Sequence, residues 1–396
     1  MSEPLVITPE PAPMRRPGIW LAGVGIYILL LSIGAAIGGE IGNFTSASLN
    51  ALPFVGLAIL AYFAGTSFNW AWIATGVWLT ILIGASAVYA FGLGVLNIVD
   101  IPPGGFDPNN PPTLQPDSLF TILLLIFGIF LSFGIGLSTL LPPVRRWLTR
   151  FLPLDPNSFV HSVALAAIVT ITLIMVMPLL VTGQPPLLTL VRAVGSEELN
   201  AGDLSAGAQL RSQVYGLVWT IPAAFLAVGF GIRRNLSATL LRIGLVRPTV
   251  SQVITGVGIG LALAGLITLT LPLVDTIWQT FGWPTTDHEA FSELIAFAIS
   301  PLGALVIGVT AGLGEELAIR GVLQPRLGIF LSNLFFVSLH AFQYHWDGLL
   351  VVFVVGLICG LVRKRTNTTT AAIVHGVYNF VLVTLGSLIF MVDLQN

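Results

Sequence analysis

Charge is scarce in this chain of 396 residues. Only 9% of the residues are Asp, Glu, Lys or Arg, whereas 55% are hydrophobic, and the mean hydropathy is +0.93. A soluble globular domain carries about 25% charged residues, so this composition excludes that class of protein. We therefore expect an all-α, polytopic membrane protein in which transmembrane helices form a bundle within the lipid bilayer.

Other features are missing as well. The single cysteine, Cys359, excludes an internal disulfide and a Cys-based metal site. The sequence contains no basic stripe with interleaved aromatic residues, so we expect no nucleic-acid partner. It also lacks the H-E-x-x-H motif of common zinc metalloproteases and any clear internal repeat of the kind found in many transporters.

Long apolar runs are abundant, and about twenty residues are enough for a helix to cross the hydrocarbon core. The first run is long enough to predict a retained span rather than a cleaved signal peptide. We predict about eleven spans, near residues 18–38, 50–66, 71–98, 119–141, 159–182, 213–232, 251–274, 294–317, 331–345, 347–362 and 371–391.

The basic residues predict an orientation for these spans. If all eleven cross the membrane and the N-terminus is cytoplasmic, then all 16 Lys and Arg residues except Arg192 and Arg211 lie on the cytoplasmic side. This asymmetry is typical of the positive-inside rule. We predict a cytoplasmic polar tail over residues 1–17, followed by transmembrane helices of unassigned role over residues 18–289.

Ionisable groups within the predicted spans are concentrated near the C-terminus, whereas the first seven spans nearly lack them. Such groups cost about 2.5–3.5 kcal/mol each at mid-span and therefore indicate function. We expect His161, His345 and Asp347 to be structural, because they lie at span ends. The last four spans and their ends also contain Glu315, Glu316, Arg320, His340, His375 and Asn379.

Helical spacing assigns different roles to the two adjacent glutamates in "GLGEELAIRG". Glu316 and Arg320 are four residues apart with the acid first, which favours an ion pair along one helix face. Glu315 is offset from Glu316 by about 100° in an α-helix. We therefore expect Glu316 to be a supporting acid and Glu315 to face the bundle without this arginine as its partner.

The same spacing recurs in two further stretches. In "FFVSLHAF", Phe336 lies four residues before His340, so its ring is expected to pack beneath the imidazole. In "HGVYN", His375 and Asn379 are four apart and can project towards a common point. We place Glu315, His340 and His375 about 10 Å below the cytoplasmic surface.

A carboxylate and two imidazoles near one another suit the activation of water, and a histidine with an asparagine amide can donate hydrogen bonds to an oxyanion. Glu315, His340 and His375 could equally hold a zinc ion with an open fourth position. A further alternative is that these polar residues only join helices to one another. Spacing alone does not separate these possibilities.

"EELAIR", "FVSLH" and "HGVYN" resemble, in order and spacing, the EExxxR, FxxxH and HxxxN motifs of the CPBP intramembrane proteases. This family includes the type II CAAX prenyl endopeptidases and the bacteriocin-processing Abi proteins. The resemblance covers residues 290–391 and predicts a catalytic helix bundle there. It implies an intramembrane endopeptidase of the bacterial plasma membrane that acts on a membrane-associated peptide or protein near the cytoplasmic face.

The resemblance also implies roles for the motif residues. Glu315 corresponds to the glutamate that activates water, with His340 as its partner, and His375 and Asn379 correspond to the residues that stabilise the oxyanion. Glu316 and Arg320 correspond to the supporting pair. Members of the family have been described both as metalloproteases and as metal-free proteases, so the cofactor stays open between zinc and none.

Two other functions are compatible with the residues. A proton-coupled transporter would use the buried glutamates and histidines to relay protons or to bind its substrate. A non-catalytic immunity or scaffold protein would keep the same fold and bind a partner without hydrolysing it.

Overall fold

The computed structural model describes residues 17–65, 69–100, 113–114, 118–194 and 205–393. Of the predicted polar tail over residues 1–17, all but the last residue lies outside this part of the chain. The described residues are almost entirely helical. The helices are α1 Pro17–Ile37, α2 Gly39–Ser46, α3 Leu52–Ala64, α4 Asn69–Leu96, α5 Ser118–Ser138, α6 Pro142–Leu148, α7 Phe159–Thr182, α8 Pro186–Val194, α9 Ala206–Ala227, α10 Leu236–Ile243, α11 Val250–Thr280, α12 His288–Leu294, α13 Pro301–Thr310, α14 Gln324–Ser338, α15 Trp346–Arg365 and α16 Thr368–Asp393.

Short non-α segments complete the fold. Two-residue strands, β1 Val99–Asp100 and β2 Thr113–Leu114, pair antiparallel. Two 3₁₀ turns, Ala47–Asn50 and Ala296–Ala298, precede α3 and α13.

The all-α, multi-pass architecture agrees with the prediction, whereas the count of about eleven spans is not confirmed. Eight helical stretches in the described chain are long and apolar enough to cross a membrane. There are up to nine if Gly39–Asn50 and Leu52–Ala64, which meet at 46°, form one bent span. The structure is that of an integral membrane protein.

Three predicted spans account for part of the difference. The expected span at 213–232 overlaps α9, whose first turns carry Gln209 and Arg211, and α9 is not among the eight candidates. The expected eighth and ninth spans are joined in one helical stretch, Pro301–Ser338. That stretch is broken at Gly328, where φ is 75° and ψ is 173°, a backbone conformation that glycine adopts without the steric cost of a Cβ atom.

Helix α7 lies at the centre of the described bundle. This helix carries apolar side chains on all its faces, and a helix of that kind is typically buried among other helices. Leu165 and Ile171 of α7 belong to one buried cluster with Ile83 of α4 and with Phe335 and Phe336 of α14. This cluster connects the leading helices directly to the helix that carries the second predicted motif.

Helix α16, which carries the third motif, is held by two neighbours. Leu263 and Ala264 of α11 form a buried cluster with Val374 and Tyr378 on one face of α16. On another face α16 meets the end of α13, so His375 lies between packed helices. By contrast, the long apolar side chains of α1 are mostly exposed, as expected for a helix that faces lipid.

Candidate active site

The two glutamates lie in a wide-turned helical segment rather than in the α-helix that their spacing predicted. Residues Ala311–Glu315 and Leu317–Leu323 are π-helical, so their backbone bonds run from residue i to i+5. Gly312 allows close packing here, since a Cβ atom on it would lie only 2.7 Å from the Cα of Gly376. Such wide turns occur frequently at functional sites.

Glu316 is the member of the pair that contacts Arg320. The Nε atom of Arg320 lies 3.2 Å from Oε2 of Glu316, and both side chains are almost fully buried, at 0% and 1% exposed. Nδ1–H of His375 donates to Oε1 of Glu316 over 3.0 Å. Buried charges are tolerated when they are paired. Oε1 of Glu316 accepts a hydrogen bond, whereas Oε2 lies at ion-pair distance from Arg320 without accepting a hydrogen bond.

Glu315 points in a different direction. Its side chain is 38% exposed, and its Oε2 atom lies 3.8 Å from Nε2 of His375. The His375 imidazole therefore has Glu316 at one nitrogen and Glu315 near the other. This arrangement leaves Glu315 as an accessible carboxylate beside a ring that is held in place.

Phe336 touches both predicted histidines. Its ring centroid lies 4.7 Å from that of His340 and 6.0 Å from that of His375, both with edge-to-face geometry. The guanidinium carbon of Arg320 lies 5.4 Å from the same ring centroid, within the range of a cation–π contact. Phe336 thus packs against the supporting arginine as well as the two imidazoles.

His340 lies in a turn, not within a span as predicted for residues 331–345. Helix α14 ends at Ser338, and His340 follows it. Nδ1 of His340 pairs with the carbonyl oxygen of Phe336 over 2.9 Å. Because a carbonyl only accepts, Nδ1 carries the proton, and Nε2 of the neutral ring keeps its lone pair.

Asn379 lies one turn after His375 on α16 and is partly exposed. Its amide makes no hydrogen bond to any other described residue, so it is available to a ligand. His375 and Asn379 share one helix face, as their spacing predicted.

Two residues beside Arg320 escaped the sequence analysis: Asn333 and Gly356. Asn333 accepts from Nη2 of Arg320 over 3.4 Å and donates to the carbonyl oxygen of Phe353 over 2.9 Å. A Cβ atom on Gly356 would lie 2.0 Å from Oδ1 of Asn333, so only glycine fits at that position. One feature of the sequence could have revealed this contact, namely the polar Asn333 within an apolar helix, three residues before Phe336.

The donor atoms do not form a convincing metal site. Among the described residues, the group whose ligand atoms lie within 4.8 Å of one another is Glu316, Cys359 and His375. Both Glu316 oxygens already face Arg320 or His375, so a metal ion would have to displace those contacts. The ligand atoms of the predicted set, Glu315, His340 and His375, do not all lie within 4.8 Å of one another.

The polar residues that we expected to be structural do have internal partners. Asp347 is buried and accepts from the backbone N–H and the hydroxyl of Thr286, at 2.9 and 2.7 Å. Nε2 of His345 pairs with the carbonyl oxygen of Gly183 at 3.0 Å. These contacts tie the start of α15 to neighbouring loops, away from Glu315.

An apolar groove of about 430 Å³ opens beside the site. It runs between α13 and α16, and the lining residues include Leu305, Gly308, Leu313, Gly376 and Phe380. Gly376 directly follows His375 on α16, so the groove lies next in sequence to the third motif.

Comparison with known families agrees with this part of the structure. Residues 297–381 match the family model described as type II CAAX prenyl endopeptidase Rce1-like, and this range contains every predicted site residue. Neither a curated protein nor a solved structure gives a significant match to the chain. This integral membrane protein is a peptide hydrolase with a domain similar to the type II CAAX prenyl endopeptidases.

Proposed function

We propose that the protein cleaves a membrane-associated peptide or protein near the cytoplasmic membrane face, with Glu315 activating the attacking water. One observation carries the proposal. The imidazole of His375 pairs with buried Glu316 through Nδ1 and lies 3.8 Å from partly exposed Glu315 through Nε2. Glu315, an accessible base, therefore lies next to His375, a hydrogen-bond donor whose position is fixed by Glu316.

The first chemical step follows from this geometry. The Glu315 carboxylate takes a proton from water while the water oxygen attacks the scissile carbonyl carbon. The Nε2 lone pair of His340 accepts a hydrogen bond from that water and orients it. Residues 290–391 would form the catalytic unit in this scheme.

The second step breaks the C–N bond. The carbonyl oxygen becomes negatively charged in the tetrahedral intermediate. His375 acts there as an imidazolium, whose Nδ1–H donates to Glu316 while its Nε2–H and the Asn379 amide donate hydrogen bonds to this oxygen. The proton held by Glu315 passes to the leaving amine as the C–N bond breaks. Glu316, Arg320 and Phe336 hold His375 in place, and no step requires a metal ion.

The proposed location rests on the distribution of charge. The basic residues favour a cytoplasmic N-terminus, and the family resemblance favours the bacterial plasma membrane. An N-terminal tag that proteases digest in inside-out vesicles but not in intact cells would agree with this orientation. The opposite accessibility would overturn it.

Glu315→Gln should reduce cleavage by about 10²–10⁴-fold, because the amide cannot take a proton from water. The measurement is product formation, followed by mass spectrometry, from a prenylated CAAX-type peptide with purified protein in nanodiscs. A second membrane peptide without the prenyl group tests the substrate class. Full activity of the Glu315→Gln protein would contradict the proposal.

Glu289→Gln is the matched control, since Glu289 is an exposed acid on α12 outside the site. It should cleave as the wild type does. A Glu315→Gln protein that retained its cellular role without cleaving would favour the scaffold alternative. Flux driven by a pH gradient in proteoliposomes would favour the transporter alternative, which the hydrolase family match makes the weaker one.

A further inference from the structure

A tyrosine in the turn between α14 and α15 stacks against the imidazole of His340. The ring centroids of Tyr344 and His340 lie 6.2 Å apart, and the two ring planes meet at 30°. Phe336 meets the same imidazole at a steeper angle of 64°. The backbone adds a further contact, since the N–H of Tyr344 donates to the carbonyl oxygen of His340 over 3.1 Å. His340 therefore has one aromatic neighbour on the helix before it and another in the turn after it.

Tyr344 is itself held by side chains from three helices. Its ring centroid lies 4.7 Å from that of Phe291 on α12, and the two planes are tilted by 38°. Gly348 on α15 leaves room for the tyrosine ring, because a Cβ atom there would lie 2.5 Å from Cδ1 of Tyr344. Leu179 of α7 belongs to the small buried cluster against which Tyr344 packs. These contacts fix the position of the tyrosine ring.

Polar contacts tie helix α12 to the same turn. Asp287 caps the first turn of α12 and forms an ion pair with Arg192 of α8. One residue earlier, the hydroxyl oxygen of Thr286 accepts from the backbone N–H of His345 over 2.9 Å. Helix α12 ends at Leu294, before the family match begins at residue 297. A part of the chain outside that match therefore contacts the turn that carries His340.

The orientation of the His340 ring is not set by its own torsion angle. The χ2 torsion of histidine has broad minima, so its rotamer leaves the ring plane loosely defined. The hydrogen bond between Nδ1 and the carbonyl oxygen of Phe336 fixes one ring nitrogen, and the ring can still tilt about that bond. Two aromatic rings that meet the imidazole at different angles, Phe336 and Tyr344, restrict this tilt.

We propose that Tyr344 is a positioning residue for the hydrolysis, which holds the His340 ring so that Nε2 faces the attacking water, and that Phe291 holds Tyr344 in turn. This inference rests on the proposed function, because it requires His340 to orient that water. A catalytic group has to stay within about 10–20° of its productive orientation, and neighbouring side chains with locked rotamers provide this precision. The stacked rings connect α12 to the second motif.

The experiment measures kcat and KM separately for purified full-length variants in nanodiscs, with the same peptide substrate. Tyr344→Leu removes the stacked ring and should lower kcat by about 10–100-fold, because the water is then poorly oriented. Its KM should change by less than about twofold, since the tyrosine acts on the chemical step. Tyr344→Phe keeps the ring and should restore kcat to near the wild-type value.

Tyr89→Leu is the matched control. Tyr89 of α4 meets Phe342 in the same turn edge-to-face, with the ring centroids 5.7 Å apart. The variant therefore removes an aromatic contact from the turn without removing the ring that stacks on His340. We expect it to cleave nearly as fast as the wild type. An equal loss of kcat in Tyr89→Leu and Tyr344→Leu would show that general loosening of the turn is responsible, and the proposal would be wrong.

Phe291→Leu provides a second test that does not disturb the turn itself. Phe291 is only partly buried, and leucine keeps an apolar side chain at this position, so this variant also serves if Tyr344→Leu fails to fold. It should lower kcat by about 2–10-fold, which corresponds to the loss of one aromatic pair. An unchanged kcat in Phe291→Leu would contradict the part assigned to α12.

His340→Ala in the same assay separates this inference from the proposed function. If His340→Ala is inactive while Tyr344→Leu keeps the wild-type kcat, the positioning role is wrong and the proposed function stands. If Tyr344→Phe loses as much activity as Tyr344→Leu, the hydroxyl rather than the ring is required, and the stacking account is wrong. Full activity of His340→Ala would overturn the proposed function and this inference together.

Discussion

Arg320 and Arg326 lie on one helical stretch, six residues apart, and both are buried, yet their surroundings differ. Around Arg320 the protein supplies a carboxylate, an asparagine oxygen and an aromatic face. Around Arg326 it supplies a tyrosine hydroxyl and further arginines. The first region is neutralised internally, whereas Arg326 forms no ion pair with another described residue. Two buried charges on one helical stretch can therefore have very different electrostatic surroundings.

The largest effect should come from breaking the internally neutralised region. Arg320→Gln leaves Glu316 as a buried carboxylate with only His375 beside it, and we expect the free energy of unfolding to fall by about 3–5 kcal/mol. The measurement is unfolding by denaturant in micelles, with the exposed Arg365→Gln as control. The double variant Glu316→Gln/Arg320→Gln should recover part of the loss, because no unpaired charge remains. A double variant less stable than Arg320→Gln would contradict this account.

A smaller effect should come from disturbing the packing around the same pair. Gly356→Ala places a methyl group 2.0 Å from Oδ1 of Asn333 and 3.0 Å from Nη2 of Arg320. We expect a loss of about 1–3 kcal/mol in stability, together with reduced cleavage as Arg320 shifts. Gly258→Ala on α11 is the control, since its methyl group would meet nothing within 4 Å. If Gly356→Ala and Gly258→Ala were equally stable, Asn333 and Arg320 would have moved aside without loss of stability, and the prediction would be wrong.

The smallest effect is expected around Arg326. The folded state holds the proton of Arg242, on α10, less tightly than the unfolded state does, because burial and neighbouring arginines lower its pKa to about 9. The charge therefore costs stability below about pH 9, and this cost falls as the pH rises above that value. In detergent micelles, Arg242→Gln should change the free energy of unfolding by no more than about 1 kcal/mol, or raise it.

This last measurement tests the comparison directly. If Arg242→Gln proved as damaging as Arg320→Gln, the contrast between the two regions would be wrong.

Much of the architecture could be predicted because lipid imposes simple rules on sequence. Runs of apolar residues located most spans, since a helix is the way a single segment can satisfy its backbone groups in hydrocarbon. The pairing of Glu316 with Arg320 followed from a four-residue spacing that survives even in a π-helical segment. The number of spans was less predictable for two reasons. Gln209 and Arg211 lower the hydropathy of α9, which was predicted as a span. Gly328 interrupts the helical conformation within one continuous helical stretch.

The site itself could be predicted only in part. Three local spacings singled out Glu315, His340, His375 and Asn379, because each motif lies within a turn or two of helix. Asn333 and Gly356 gave no comparable signal, since their importance comes from a contact between α14 and α15. The position of His340 beyond the end of α14 was missed for the same reason, as helix ends within apolar stretches depend on tertiary packing.

The sequence by itself determined that the chain belongs in a membrane, where most of its helices run, and which residues are candidates for chemistry. These properties depend on composition and on spacing along one helix, both of which are local. Only the tertiary structure decided that His375 lies between two glutamates and that Arg233 and Arg326, which are distant in sequence, both approach the Tyr62 ring. Those arrangements depend on contacts between helices that are distant in sequence. They are stabilised by burial and by electrostatic interactions between segments, which cannot be read from any one segment alone.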